Sequence, residues 1–218
     1  MLVTIDAPRI GGVAAQTSVV QDLRAGLRTV LARPALRSVT AATCLAAFGA
    51  GALTPTAVLL GVRAGHAAAG ALLITAFGAG ALAGSLLVAR YPVRRWPAYR
   101  VALACLVGTG LALAVQAVMV AVTPPNWALG IALFAAAGAF DGPLLASLLE
   151  VRSAESPAHL RTQVFTLGAG LKVSAASLGS AAFALVVGLP AAMIVGLIAA
   201  VHGIAALVGV LLLGRRRP

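Results

Sequence analysis

The sequence predicts an all-α membrane protein with six transmembrane helices, and three observations predict it. Six apolar stretches run over residues 39–62, 67–89, 101–122, 127–149, 164–187 and 191–213. Each exceeds the ~20 residues that cross a hydrocarbon core of ~30 Å at ~1.5 Å per residue. Hydrophobic residues make up 61% of the chain, against ~45–50% in a soluble domain, and the mean hydropathy is +1.03. The connections alternate between neutral and arginine-rich. The runs are continuous and rich in Ala, Leu and Gly, which argues against a closed β-barrel, whose strands alternate apolar and polar residues.

Charge sets the orientation. Fourteen of the 16 Lys and Arg residues fall in four regions: Arg9, Arg24, Arg28, Arg33 and Arg37; Arg90, Arg94, Arg95 and Arg100; Arg152 and Arg161; and Arg215, Arg216 and Arg217. All four lie on one side of a six-pass chain, with Arg63 alone on the other and Lys172 inside a span. This positive-inside bias places both termini in the cytoplasm and the protein in the cell membrane. The formal net charge of +11 thus answers to anionic lipid and topology, not to nucleic acid, for which no basic groove with interleaved aromatics exists. Cys44 and Cys105 both sit within spans, so neither a disulfide nor a metal site is expected.

Taken in order, residues 1–20 have no period and read as a flexible tail, and the start at 1–12 lacks the order of a signal peptide. Residues 21–37 read as an amphipathic cytoplasmic interfacial segment. There Leu23, Leu27, Val30 and Leu31 form one stripe, Arg24 and Arg28 lie off it, and Pro34 ends the helix. Residues 38–214 form the six-helix transmembrane domain, and 215–218 a basic cytoplasmic tail. The outer turns at 63–66, 123–126 and 188–190 are minimal, which makes neighbouring helices antiparallel. The first triplet of spans starts inside and the second outside, the arrangement of a 3+3 inverted repeat. Gly80-x-x-x-Gly84 and Gly138-x-x-x-Gly142 have the spacing that lets membrane helices approach closely.

Several stretches carry a family resemblance. They are Asp22-Leu23-Arg24-Ala25-Gly26-Leu27-Arg28 with Arg33-Pro34-Ala35-Leu36-Arg37; Gly70-Ala71-Leu72-Leu73 with residues 76–85; Ser156-Pro157-Ala158-His159-Leu160-Arg161-Thr162-Gln163; and Ser177-Leu178-Gly179-Ser180. Their order and spacing resemble the C-terminal six-helix half of major facilitator superfamily transporters. Of that family's loop signature only Arg94 and Arg95 match, and Arg90 stands where the signature has Asp. The resemblance implies a half bundle, alternating access, and a second six-helix half supplied by another chain or another copy. It tilts towards efflux.

Asp141 and Lys172 are the sharpest chemical features. Asp141 lies about 11 residues from Arg152, and Lys172 about 11 from Arg161, so both sit roughly 15 Å deep. A lone charge there costs at least ~2.5–3.5 kcal/mol on insertion scales. One reading pairs them across two consecutive helices, lining a pathway that touches substrate or exchanges a proton. The plainer readings let Lys172 snorkel inward and let Asp141-Gly142-Pro143 be a helix break capped by Asp141. Arg94, Arg95, Glu150 and Arg152 are candidates for a cytoplasmic gate, with solvated helix ends as the plainer alternative. Thr54-Pro55-Thr56 and Pro143 mark kinks. His202 reads as a satisfied packing histidine, His66 as solvated, and Gln116 as a partner for a neighbouring helix.

The expected function is transport of a small molecule as half of a secondary transporter. The alternative is a non-transporting membrane protein, a remnant or an assembly partner. No nucleophile constellation and no phosphate-binding loop is present, so no enzyme and no cofactor is expected.

Overall fold

The apolar runs fold as helices whose ends are set by proline, tight turns and charge. The structure, a computed structural model, describes residues 19–93, 95–124 and 126–214. The elements are α1 (Val19–Ala32), α2 (Pro34–Gly51), α3 (Leu53–Arg63), α4 (Ala67–Arg90), α5 (Ala98–Val122), α6 (Trp127–Glu155), α7 (Arg161–Val186) and α8 (Ala191–Leu213). A 3-10 turn, Ala158–Leu160, precedes α7, and no strand occurs among the described residues. Six segments are long and apolar enough to cross a membrane, with α2 and α3 together forming the first. The chain is therefore an all-helical protein of the membrane-spanning type. Nearly all of the expected tail, the basic end at 215–218 and Arg94 lie outside the described residues.

Proline acts differently in two spans. Pro34 opens α2 and separates it from α1. Pro55 has no N–H to offer the Gly51 carbonyl, and the helix breaks there: the Ala52 N–H bonds the Gly49 carbonyl instead, at 3.1 Å. The Ala52 carbonyl at the break accepts twice, from the Thr56 N–H at 3.1 Å and from the Thr56 hydroxyl at 2.6 Å. The expected kink is thus a break one turn ahead of Pro55. By contrast, α6 runs on through the buried Pro143, so Asp141 caps no second half-helix.

The helices pack in a definite order. α6 lies between α4 and α5, α5 lies on α8, α8 on α2, and α2 on α7. α3 leans back onto α4, while α6 and α7 touch only sparsely. At α5 and α8 the register is antiparallel: Gly110 faces His202 and Ala199, and Gly209 faces Leu103. Ser38 donates to the Gly209 carbonyl at 2.6 Å and Arg37 to that of Leu212 at 2.8 Å. The start of α2 and the end of α8 therefore share one end of the bundle, here called the tail end. The opposite end carries the short turns.

Two apolar clusters fill the interior. Leu36, Val39, Leu106, Leu148, Val151 and Val164 form the one nearer the tail end. Leu53, Leu73, Leu113, Phe134, Ile194 and Val195 form the other. α1 crosses the tail end against α7 and α2. Of its expected apolar stripe only Val30 is buried; Leu23, Leu27 and Leu31 stay exposed. That leaves a leucine edge free for the lipid interface.

Candidate functional site

Three helix pairs set a glycine against facing backbone; in α3 and α4 it is Gly70 on the Ala57 carbonyl, and in the other two pairs each helix contributes a glycine. Along α4 and α6, Gly80 abuts the Ala135 carbonyl, Gly138 that of Phe77, Gly84 that of Ala139, and Gly142 that of Ala81. The register advances by four on both helices, so they run parallel. Both small-residue motifs therefore meet face to face. Along α2 and α7, Gly51 abuts the Ala176 carbonyl and Gly179 that of Phe48.

The two seams use one sequence unit. Ala47-Phe48-Gly49-Ala50-Gly51-Ala52-Leu53 and Ala76-Phe77-Gly78-Ala79-Gly80-Ala81-Leu82 are identical heptapeptides. In each, the Phe carbonyl and the second Gly dock on an Ala-x-x-Gly of the facing helix, 135–138 or 176–179. An internal comparison of the spans with one another exposes this repeat; a comparison of the two triplets alone does not.

Asp141 and Lys172 are not brought together. The only ion pair among the described residues joins Arg33 to Glu155 at 3.6 Å, so Asp141 and Lys172 form none. Asp141 lies within electrostatic reach of Cys105 on α5 and His202 on α8. Lys172 lies within reach of Cys44 on α2. No ion pair joins Asp141 to Lys172, and the helices that carry them touch only sparsely. His202 is buried, with Nδ1 2.8 Å from the Ile198 carbonyl, in keeping with a packing role.

The tail-end residues divide. Arg95 and Glu150 line one crevice with Pro92, Trp96 and Ser147, without pairing. Arg152 faces the other way and is buried, 4% exposed, against Gly168 of α7. Its Nε and Nη2 find no hydrogen-bond partner among the described residues. Arg152 continues the buried stripe of Leu144, Ser147, Leu148 and Val151, against the expectation of a solvated helix end.

At the turn end Arg63 clamps α3 to the turn after α7, donating to the Leu189 and Val187 carbonyls at 2.7 Å each. Beside it a cavity of about 180 Å³ is lined by Leu73, Gln116, Met119, Trp127 and Gly130 among others. Gln116 does not bond a neighbouring helix through its carbonyl as expected; Oε1 is buried there without a partner among the described residues. His66 is exposed and meets Trp127 edge to face, ring centres 6.2 Å apart. No cluster of three metal-ligating side chains occurs among the described residues.

Compared with protein-family models, curated proteins and solved structures, the chain finds no match.

Proposed function

We propose that the chain is one six-helix half of an alternating-access transporter of the major facilitator type, with a 3+3 inverted repeat. The observation that carries this reading is the exchange pattern of helix contacts. If the first three spans are swapped for the last three, α2 on α7 becomes α6 on α4, and α2 on α8 becomes α6 on α5. The α5–α8 contact maps onto itself. The two glycine seams map onto each other as well.

The exposed side of α7 supports a missing half. Thr162, Thr166, Ser174 and Ser180 share one face of that helix and are all exposed; Ser177 beside them is served by the Val173 carbonyl of its own helix. Lipid tails give hydroxyls no partner, whereas a second bundle or a wet cavity does. We assign the tail end to the cytoplasm. Arg24, Arg28, Arg33, Arg37, Arg90, Arg95, Arg100, Arg152 and Arg161 cluster there, and Arg63 is alone at the turn end. The membrane is then the cell membrane, and efflux of a small molecule the direction.

Asp141 and Lys172 serve this function separately, each as a midplane charge facing its own neighbours. Everted vesicles from cells expressing the full chain, energised with a proton gradient, test the reading with ethidium as the transported probe. Gradient-dependent uptake is expected, reduced at least tenfold in Asp141→Asn or Lys172→Met. Uptake unchanged in both variants removes their role. Absence of gradient-dependent movement for ethidium and for a panel of other dyes returns the chain to the non-transporting alternative.

A further inference from the structure

A charge buried without a counter-charge is the least comfortable group a membrane fold can hold. Arg152 is such a group. It is 4% exposed, and Nε and Nη2 lack hydrogen-bond partners among the described residues. Burying an ionised side chain unpaired is more unfavourable than burying any neutral polar group. Of the carboxylates whose side chains are described, none serves it. Asp141 addresses Cys105 and His202, Glu155 pairs with Arg33, and Glu150 is exposed in the crevice with Arg95.

The surroundings are arranged around the guanidinium. Gly168 leaves the space that it occupies: a Cβ there would overlap Nη2, Cζ and Nε. Ser156, one turn on from Arg152, is 5% exposed and its Oγ is also without a partner. Ser156 ends α6 with extended backbone, so it brings a second unserved polar group to the same helix end. Lys172, one turn on from Gly168, adds a second cation: Cys44 lies within electrostatic reach of both. Arg152, Ser156 and Gly168 sit in the seam where α6 and α7 touch only sparsely, towards the arginine-rich end, with Lys172 a turn further along α7.

We infer that the α6–α7 seam at the tail end binds an oxyanion, held by the Arg152 guanidinium and the Ser156 hydroxyl over Gly168, with Lys172 adding charge. A guanidinium offers a planar fork of N–H donors that matches phosphate or carboxylate. Two sources present that chemistry: a phosphodiester headgroup of an anionic lipid, and a free phosphate-type solute. Basic pockets between membrane helices suit the first. The inference does not rest on the transport reading, since equilibrium binding tests it.

The experiment melts the purified full chain in phosphate-free buffer in dodecyl maltoside micelles, which carry no phosphate. Three conditions are compared: micelles alone, micelles with inorganic phosphate, and micelles with added phosphatidylglycerol. A rise in melting temperature in the second condition identifies a free oxyanion, and a rise in the third alone identifies the headgroup. Arg152→Met is expected to abolish either rise. In micelles alone it is expected to melt about 4 °C higher than wild type, because the unpaired charge is gone. A guanidinium with a purely structural role predicts the opposite sign. Arg152→Lys, which keeps the charge but loses the fork, is expected to need at least tenfold more phosphate or phosphatidylglycerol for half of the rise. The proposal falls if wild type responds in neither condition, if Arg152→Met and Arg152→Lys respond as wild type does, or if Arg152→Met melts lower in micelles alone or fails to fold.

Discussion

The carbonyl of Phe77 occupies the place where a side chain on residue 138 would begin, so Gly138 is the residue that lets α4 and α6 touch. The obstacle is backbone, which does not rotate away. Gly138→Val is expected to force the helices apart and lower stability by about 1–3 kcal/mol, the usual result of overpacking. Gly142, against the Ala81 carbonyl, is built the same way. Reversible unfolding of the purified chain in mixed micelles measures the loss. A Gly138→Val variant as stable as wild type would show that the seam is not closed.

Within the second heptapeptide two glycines two residues apart carry opposite expectations. A Cβ on Gly80 would run into Ala135 backbone, while one on Gly78 meets nothing within 4 Å. Gly78→Ala is therefore expected to be neutral or to stabilise by up to about 1 kcal/mol, by favouring the helix. Gly80→Ala is expected to destabilise by about 1–3 kcal/mol. The same unfolding measurement compares them directly, and equal effects at the two positions would refute the assigned faces.

These glycines mark how far the sequence could be read. Span number was legible because hydropathy acts along the chain, and so were some span ends: the last helix covers Ala191–Leu213, the apolar run itself, while α6 runs on to Glu155 and the first span breaks between Gly51 and Leu53. Which helices pack together was not, because that depends on the neighbours a helix finds. The spacing predicts a pair between Asp141 and Lys172, yet α6 and α7 touch only sparsely and no ion pair joins the two. The burial of Arg152 was out of reach for a like reason: Leu145 and Leu149 are as apolar as Leu144 and Leu148 yet exposed, so hydropathy does not say which stripe turns inward. The repeated Ala-Phe-Gly-Ala-Gly-Ala-Leu unit was visible in the sequence, but its meaning needed the facing helices.

The sidedness of the bundle makes the last prediction. Arg63 stands at the end with the short turns, and Arg100 at the end that carries α1. Both are exposed. In a chain whose Cys44 and Cys105 are replaced by alanine, Arg63→Cys and Arg100→Cys give one thiol each. A membrane-impermeant maleimide added to intact cells is expected to label the first and spare the second, and everted vesicles are expected to reverse the result. The arginine bias underlies this sign, because cationic loops are retained on the cytoplasmic side. Arg63 bonds the Leu189 and Val187 carbonyls, so Arg63→Cys also removes a clamp; a folded fraction matching that of Arg100→Cys by gel filtration keeps the comparison fair. Labelling of both sites from one side would mean that the two ends do not lie across a bilayer from each other, and the six-pass arrangement would fall with that result.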